Sequence, residues 1–584
     1  MVDSIALEAL QDSPETAERL GVPESLYGGP YHELLDDRSI AAVERRRISR
    51  LEHAEALREM QIRPLSPEAG REVSSVSQQF DAATDLDRYA IGYVRIGWAS
   101  PYLINHLDGA YTDLVRLMTQ KHPVRSRADA DSWLARLRKV APAMRDDLRN
   151  LEVDLRNGVI PPRDELNRTL ERIRSLTPVR PREHPAYIQF ADSLADVSEL
   201  THDEIVRLQD EAAVILANDL RPAYDELART LQDVADKAPE EPGVWRQPNG
   251  EEYYRSALRL YTGTARTPQE IADIGRGVIA DVTAEMDTLL ASQGYAEGSV
   301  AERMTALSSA PDYLLPDSLE GVSDLFAALR EHQIWGEDNL ARISNFKPRA
   351  LTDTRLVPKA ARRASGGAYY RPAAMDGSKP ATFNVNVVSP LEWPTWSLPT
   401  LTFHETIPGH HLQVEAARAS TDGALWNAIW TVSGFNEGWA LYAEDLANEL
   451  GAYRNNPVGR LGYLQAVLLR AARAVADVGV HSERWTRQEA VDYLVATVGI
   501  STAQAEREVD RFTIWPGHAC SYIVGREEIR RLRGMADREL GPQFDLVAFN
   551  DVVLSGGSRP LEIVGRDVRA WIEAQKASAP AVEK

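Results

Sequence analysis

"THDEIVRLQDEAAVILANDLRPAYDELARTLQDVADKA", residues 201–238, places apolar side chains three or four positions apart among charged ones, beginning with Ile205, Leu208, Ala212 and Ile215. This is the period of an α-helix with one buried face. The same period runs through "LEHAEALREM" (51–60) and "DSWLARLRKVAPAMRDDLRNLEVDLRNG" (131–158), so the first two hundred or so residues read as mainly α. "APEEPGVWRQPNGEEYY", residues 238–254, then concentrates Pro, Gly and acid, and the chain divides there into an N-terminal helical region, 1–240, and a second region, 241–584. Helices resume beyond it, with capping-box spacing at Thr267/Glu270 and Thr486/Glu489. Only "ATFNVNVV" (381–388) alternates and is rich in β-branched residues, which predicts a strand over Thr382–Val388. The expected fold class is therefore mainly α with a small β segment.

Composition narrows the functions. With 66 basic against 87 acidic residues the net charge is −21, which repels polyanions and argues against nucleic acid and anionic membrane surfaces as partners. The first residues lack a basic segment leading into an apolar one, and no run of apolar residues is long enough to span a bilayer, so neither export nor a membrane span is expected. The single cysteine, Cys520, forms no intramolecular disulfide and supplies no thiolate cluster. A cytoplasmic location follows as the expectation, and any metal site must use His, Asp or Glu.

"FHETIPGHHLQ", residues 403–413, begins as a zinc-peptidase helix does, but Pro408 and Gly409 interrupt it before His410 and His411. On an unbroken helix His410 lies six steps from His404, about 240° away around the axis, while His411 lies seven steps away and roughly 10 Å further along. Neither pairing lets two rings share one ion with bonds of about 2 Å. Pro408 has no N–H for the carbonyl of His404, and Gly409 accepts unusual backbone angles. A bulge absorbing two residues would bring His410 into the place of a second ligand. Downstream, "FNEGWALYAEDL" (435–446) sets Glu437 and Glu444 seven apart on one helix face. Two histidines and a carboxylate form the ligand set of hydrolytic zinc sites, with Glu405 as general base and Glu444 as an orienting carboxylate behind a ligand imidazole.

Two further stretches carry candidates. "WPGHACSYIVGREEI" (515–529) spaces His518, Tyr522 and Arg526 four apart, so they share a helix face; Arg526 is a candidate for a substrate carboxylate or for pairing with Glu527 or Asp510. "RAARAVADVGVHSERW" (470–485) does the same for Arg473, Asp477 and His481, with a buried Arg473–Asp477 pair as the structural reading.

The ordered motifs "HETIPGHHLQ", "NEGWALYAE" and "WPGHACSYIVG" resemble the bacterial domain-of-unknown-function 885 family, read as zinc metallopeptidases, over about residues 75 to 570. "NEGWA" also resembles the glutamate-ligand segment of gluzincin aminopeptidases, and the Gly-His-x-x-Gln ending resembles the zinc helices of the angiotensin-converting-enzyme and oligopeptidase group. The resemblance implies a helical body cleft by a deep central channel, with residues 1–240 forming part of its wall and 241–584 carrying catalysis. It favours His410 over His411, so the metal set becomes His404, His410 and Glu437 with Zn2+. It implies Tyr522 as oxyanion donor and His481 as a further catalytic residue, whereas His518 departs from the family's usual Gln. It also implies that the strand carrying Asn384 and Asn386 is an edge strand that pairs with extended substrate. "GGAYYRP" (366–372) combines a flexible turn with aromatics and is a candidate to close over substrate. The expected activity is zinc-dependent hydrolysis of a peptide or peptide-like amide. The alternatives are a zinc hydrolase or lyase specific for one small metabolite, and a non-catalytic, metal-stabilised helical binding protein.

Overall fold

The Thr201 hydroxyl accepts from the N–H of Glu204, and the Glu204 carboxylate accepts from the N–H of Thr201. This reciprocal cap starts a helix at His202 that runs to Ile215, widens into a π turn over Leu216–Leu220 and continues as Arg221–Ala235. Pro222, which cannot donate to the preceding turn, gives the local cause of the widening. The computed structural model describes residues 1–357, 362, 367–420 and 424–578.

Among these residues the protein is mainly α, with two small sheets. The N-terminal helices share a core running from Ile104 to Ala238, in which Trp133 stacks on Phe190 at 4.0 Å between ring centroids. A second core draws residues 82–102 together with residues from 244 to 524. The caps expected at Thr267 and Thr486 are both formed. No described helix is long and apolar enough to cross a membrane.

β1 (Tyr93–Arg95) and β2 (Trp98–Ser100) form an antiparallel pair. β3 (Asp353–Leu356), β4 (Ala368–Arg371) and β5 (Thr382–Val385) form a sheet in the order β3-β5-β4, with β5 parallel to β3 and antiparallel to β4. The strand predicted over Thr382–Val388 is thus β5, three residues shorter, and it is a central strand. Both of its edges are occupied, so the edge of this sheet nearest the site is the outer one of β4. Gly366 of the "GGAYYRP" stretch lies outside the described residues, and Ala368–Arg371 of the same stretch form β4.

Six helices build the region around the motif: α1 (Leu398–Glu405), α2 (His410–Ser420), α3 (Ser433–Glu449), α4 (Pro457–His481), α5 (Thr502–Ile514) and α6 (Cys520–Leu540). Along α4 nearly every side chain from Ala471 to His481 is buried, so it is the central rod of the second core. Against it lie α3 and α6, whose backbones touch at glycines. A Cβ on Gly438 would lie 2.5 Å from the Cα of Gly525, and a Cβ on Gly525 would lie 1.9 Å from the carbonyl oxygen of Gly434. No flexible atom is available to move aside. Gly525→Ala is therefore expected to destabilise the protein by about 3 kcal/mol, measured by denaturant unfolding, with the midpoint shifted and the slope unchanged.

Candidate metal centre

The helix carrying His404 stops at Glu405, and the next begins at His410. The interruption is a complete break across Thr406–Gly409, larger than the bulge the sequence suggested. Close packing requires glycine within it: a Cβ on Gly409 would lie 1.9 Å from the His404 carbonyl oxygen. Trp439 of α3 donates its indole N–H to the Pro408 carbonyl at 2.9 Å, so the "NEGWA" helix holds the break in place.

The break turns His410 back toward His404. Their rings stand almost perpendicular with centroids 4.9 Å apart, and Glu437 Oε2 lies 3.5 Å from His404 Nε2 and 3.6 Å from His410 Nε2. The three donor atoms all fall within 4.8 Å of one another. Tetrahedral zinc with bonds of about 2.0–2.1 Å separates its ligands by roughly 3.3 Å, so this donor set fits the ion in type and spacing. His411 faces elsewhere, with Nε2 2.8 Å from the Ala350 carbonyl and Nδ1 3.1 Å from the Tyr370 hydroxyl.

The opposite ring nitrogens are also engaged. His404 Nδ1 donates to Glu444 Oε1 at 2.8 Å, and Thr400 donates to the other oxygen of Glu444. His410 Nδ1 lies 3.4 Å from Gln413 Oε1, and Gln413 in turn donates to Asn436 at 2.8 Å. With Nδ1 donating, each imidazole keeps the Nε2 lone pair for a cation. Thr400, Gln413 and Asn436 were not singled out from the sequence, although Gln413 and Asn436 lie within the motifs quoted above.

Electrostatics agree with the geometry. Burial opposes the charged form of His404, but hydrogen bonds to Glu437 and Glu444 raise it to about 9. Burial likewise opposes ionisation of Glu437, yet bonds from His404 and His410 hold it well below the usual carboxylate range. The donors form a place built for positive charge. Glu405 is buried beside them, and burial pushes its carboxyl up while the two imidazoles pull it back. The N–H of Tyr370 in β4 donates to Glu405 Oε2 at 2.7 Å and fixes its position.

Tyr522 lies on this side of α6, with the Arg473 guanidinium 4.6 Å from its ring centroid. Burial and the Glu437 carboxylate both raise its phenol, which stays protonated at neutral pH. Arg473 pairs with Glu508 at 3.2 Å; the expected Arg473–Asp477 pair does not form. Asp477 accepts instead from the Tyr254 hydroxyl at 2.6 Å and from the N–H of Gly517. His518 is enclosed by Trp98, Tyr261 and Trp515.

Several expected roles are not supported by these placements. His481 is fully buried, accepts at Nδ1 from the N–H of Val244 at 3.0 Å, and donates from Nε2 to the Phe512 carbonyl at 2.9 Å, so both nitrogens tie the backbone together. Arg526 grips Asp445 through Nε and Nη2 at 2.8–3.1 Å and Glu527 through Nη1 at 2.5 Å, which leaves its guanidinium committed within the fold. Asn384 bonds to Thr382 of its own strand at 2.9 Å, and Asn386 donates to the Arg362 carbonyl at 2.8 Å; both are buried in or beside the central strand.

The profile of the bacterial family described as protein of unknown function, DUF885, matches residues 14–568. The chain belongs to the DUF885 family. Among solved structures the DUF885 chain is similar to "the putative lipoprotein from Colwellia psychrerythraea", at 28% identity and a TM-score of 0.92, covering 98% of this chain and 99% of that one. It shares its fold with "a putative lipoprotein of unknown function from Shewanella oneidensis", at 16% identity and a TM-score of 0.72, over 97% and 98% of the two chains. No curated protein matches the sequence. The relative at 28% identity is described as a "putative lipoprotein", which overturns the cytoplasmic expectation. A single cysteine is equally compatible with an oxidising compartment, so the inference from its count did not hold.

Two expectations follow from this geometry. Glu444→Ala removes the acceptor for His404 Nδ1 and should weaken zinc binding about 10–100-fold in competition with a chelator, whereas Glu444→Gln, which keeps an accepting oxygen, should weaken it less. Burial lowers His481 to about 3, while an unfolded histidine titrates near 6.5. The unfolded state therefore binds the extra proton below pH 6.5, and stability should fall by about 1.4 kcal/mol per pH unit for this residue as pH drops from 6.5 toward 3, seen as an earlier urea midpoint at pH 5 than at pH 7.

Proposed function

We propose that the protein is a zinc-dependent hydrolase of peptide or peptide-like amide bonds, related in its site to gluzincin metallopeptidases. The observation that carries this reading is the convergence of His404 Nε2, His410 Nε2 and Glu437 Oε2 beside the buried carboxylate of Glu405. Such a carboxylate is of no use to a merely structural metal, which is closed by ligands alone.

Zinc held by these three residues would supply Lewis acidity to the substrate carbonyl and lower the pKa of a water molecule from about 15.7 toward 7. The chain's own residues then divide the work. Glu405, raised by burial, is suited to take the water proton and return it to the leaving amine. The Tyr370 N–H aims it, and Glu444 and Gln413 aim the ligand imidazoles. The protonated Tyr522 phenol, with the Arg473 guanidinium against its ring, would donate to the oxygen on which negative charge develops. The outer edge of β4 beyond the Tyr370 N–H, which is committed to Glu405, would offer an extended peptide a strand to pair with, in place of β5.

Metal analysis of the purified protein is expected to give close to one zinc per chain, lost in His404→Ala and retained in His411→Ala. Glu405→Gln should keep the zinc and lower peptide turnover about 10²–10⁴-fold. A protein that binds no zinc, or a Glu405→Gln variant with full turnover, would overturn the reading.

A further inference from the structure

β4 leads from Tyr370, whose N–H holds Glu405, directly to Arg371. Around Arg371 the fold gathers cations. Its Nη2 donates to Gln120 Oε1 at 3.2 Å, and its guanidinium lies 5.5 Å from the ring centroid of Tyr369. The ammonium of Lys379 donates to the Lys121 carbonyl at 3.0 Å, and that of Lys121 donates to the Arg19 carbonyl at 3.3 Å. Three chain segments far apart in sequence thus bring Arg19, Lys121, Arg371 and Lys379 to one place.

Among the described residues none of these four cations forms an ion pair; their partners are carbonyl, amide and hydroxyl oxygens. This is unexpected in a chain with 87 acidic and 66 basic residues, whose surface arginines are mostly paired. The carboxylates that act on the two lysines are bonded elsewhere, Glu18 with His32 and Arg136 and Asp376 with the N–H of Ser378, while Asp36, Glu15 and Asp113 act on Arg19 without forming an ion pair with it. Burial and the neighbouring charges of Arg371, Lys379 and Arg19 lower the Lys121 ammonium to about 7. Gathering like charges with no carboxylate bonded to them costs folding energy that an anionic ligand would recover. Lys121, Arg371 and Lys379 are only half-buried, so a ligand has access to them.

We propose that Arg371, Lys121 and Lys379 form an anion subsite that receives a carboxylate of the substrate, so that the preferred substrates are acidic or free-acid peptides. The inference rests on the peptide-hydrolase reading for its register. A peptide extended along β4 advances about 3.4 Å per residue, which puts the carboxylate about two to four residues from the bond beside Glu405. The group is either the terminal α-carboxylate or an Asp or Glu side chain. A charge-assisted, bidentate contact from Arg371 provides the selectivity.

The test uses the full-length zinc protein and alanine-based hexapeptides in four forms: free acid, C-terminal amide, and amidated versions with one internal Glu or the matching Gln. Affinity is measured by calorimetric titration on the Glu405→Gln protein, which needs no turnover, and kcat/KM on the wild type. At least one acid form is expected to bind about 10-fold or more tightly than its neutral counterpart, with the preference falling as salt rises. Loss of the preference on C-terminal amidation identifies the α-carboxylate; loss only on Glu→Gln identifies the side chain; either supports the subsite. Arg371→Gln combined with Lys121→Gln should remove the preference, and Arg371→Lys, which keeps the charge but loses the bidentate fork, should keep only part of it, with thermal melting used to check that each variant is folded. Equal affinity for acid and neutral peptides, or a preference surviving in the double variant, overturns the proposal. Acid-selective binding without cleavage of any peptide would instead overturn the hydrolase reading and leave the subsite standing.

Discussion

The glycine contact between α3 and α6 sets the geometry on which the candidate site depends. Gly434 and Gly438 meet Gly525 with backbone against backbone. One residue before Gly438 lies Glu437, the carboxylate between the two imidazoles, and one helical turn before Gly525 lies Tyr522. A side chain at either crossing would push the helices apart and carry the carboxylate away from the phenol. Helix α4 supports both from behind, presenting the Arg473 guanidinium to Tyr522.

The arrangement also shows how an acidic protein concentrates positive charge. Glu437 and Glu444 flank His404 on its two nitrogens, and together they favour a cation or a proton between them. Other buried charges are neutralised within the fold: Asp445 is held by Arg526 and by the Tyr463 hydroxyl at 2.7 Å, and Glu508 is held by Arg473. A buried pair of this kind contributes little net stability, but removing one partner strands the other. This keeps Arg526, on the same helix face as Tyr522, committed within the fold, whereas Arg371 forms no ion pair among the described residues.

The helical architecture was legible because it follows from local rules. Apolar periodicity located the helices, and Thr267/Glu270 and Thr486/Glu489 marked two helix starts to the residue. The interruption at Pro408–Gly409 was legible for the same reason, since a missing N–H is a property of the residue. Partner choice was not legible. Spacing put Arg473, Asp477 and His481 on one face but carried no information about what faces them, and the tertiary fold supplied Glu508, Tyr254 and the Phe512 carbonyl. Strand order was equally hidden: the alternation in "ATFNVNVV" described a buried strand well, but its central position depends on β3 and β4 arriving from elsewhere in the chain.

The two residues that spoil the regular zinc-helix spacing have a structural consequence beyond bringing His410 into place. Because the chain breaks at Thr406–Gly409 and restarts at His410, His411 emerges on the side facing β4, where its Nδ1 meets the Tyr370 hydroxyl. The same tyrosine donates its backbone N–H to Glu405. One residue of the edge strand is thereby bonded to both sides of the break, to the carboxylate before it and the imidazole after it. An uninterrupted helix would place Glu405 and His411 six steps apart, about 240° around the axis, where one strand residue does not reach both. The break thus joins the strand to the candidate site: β4, paired with β5 on one side, fixes the Glu405 carboxylate on the other.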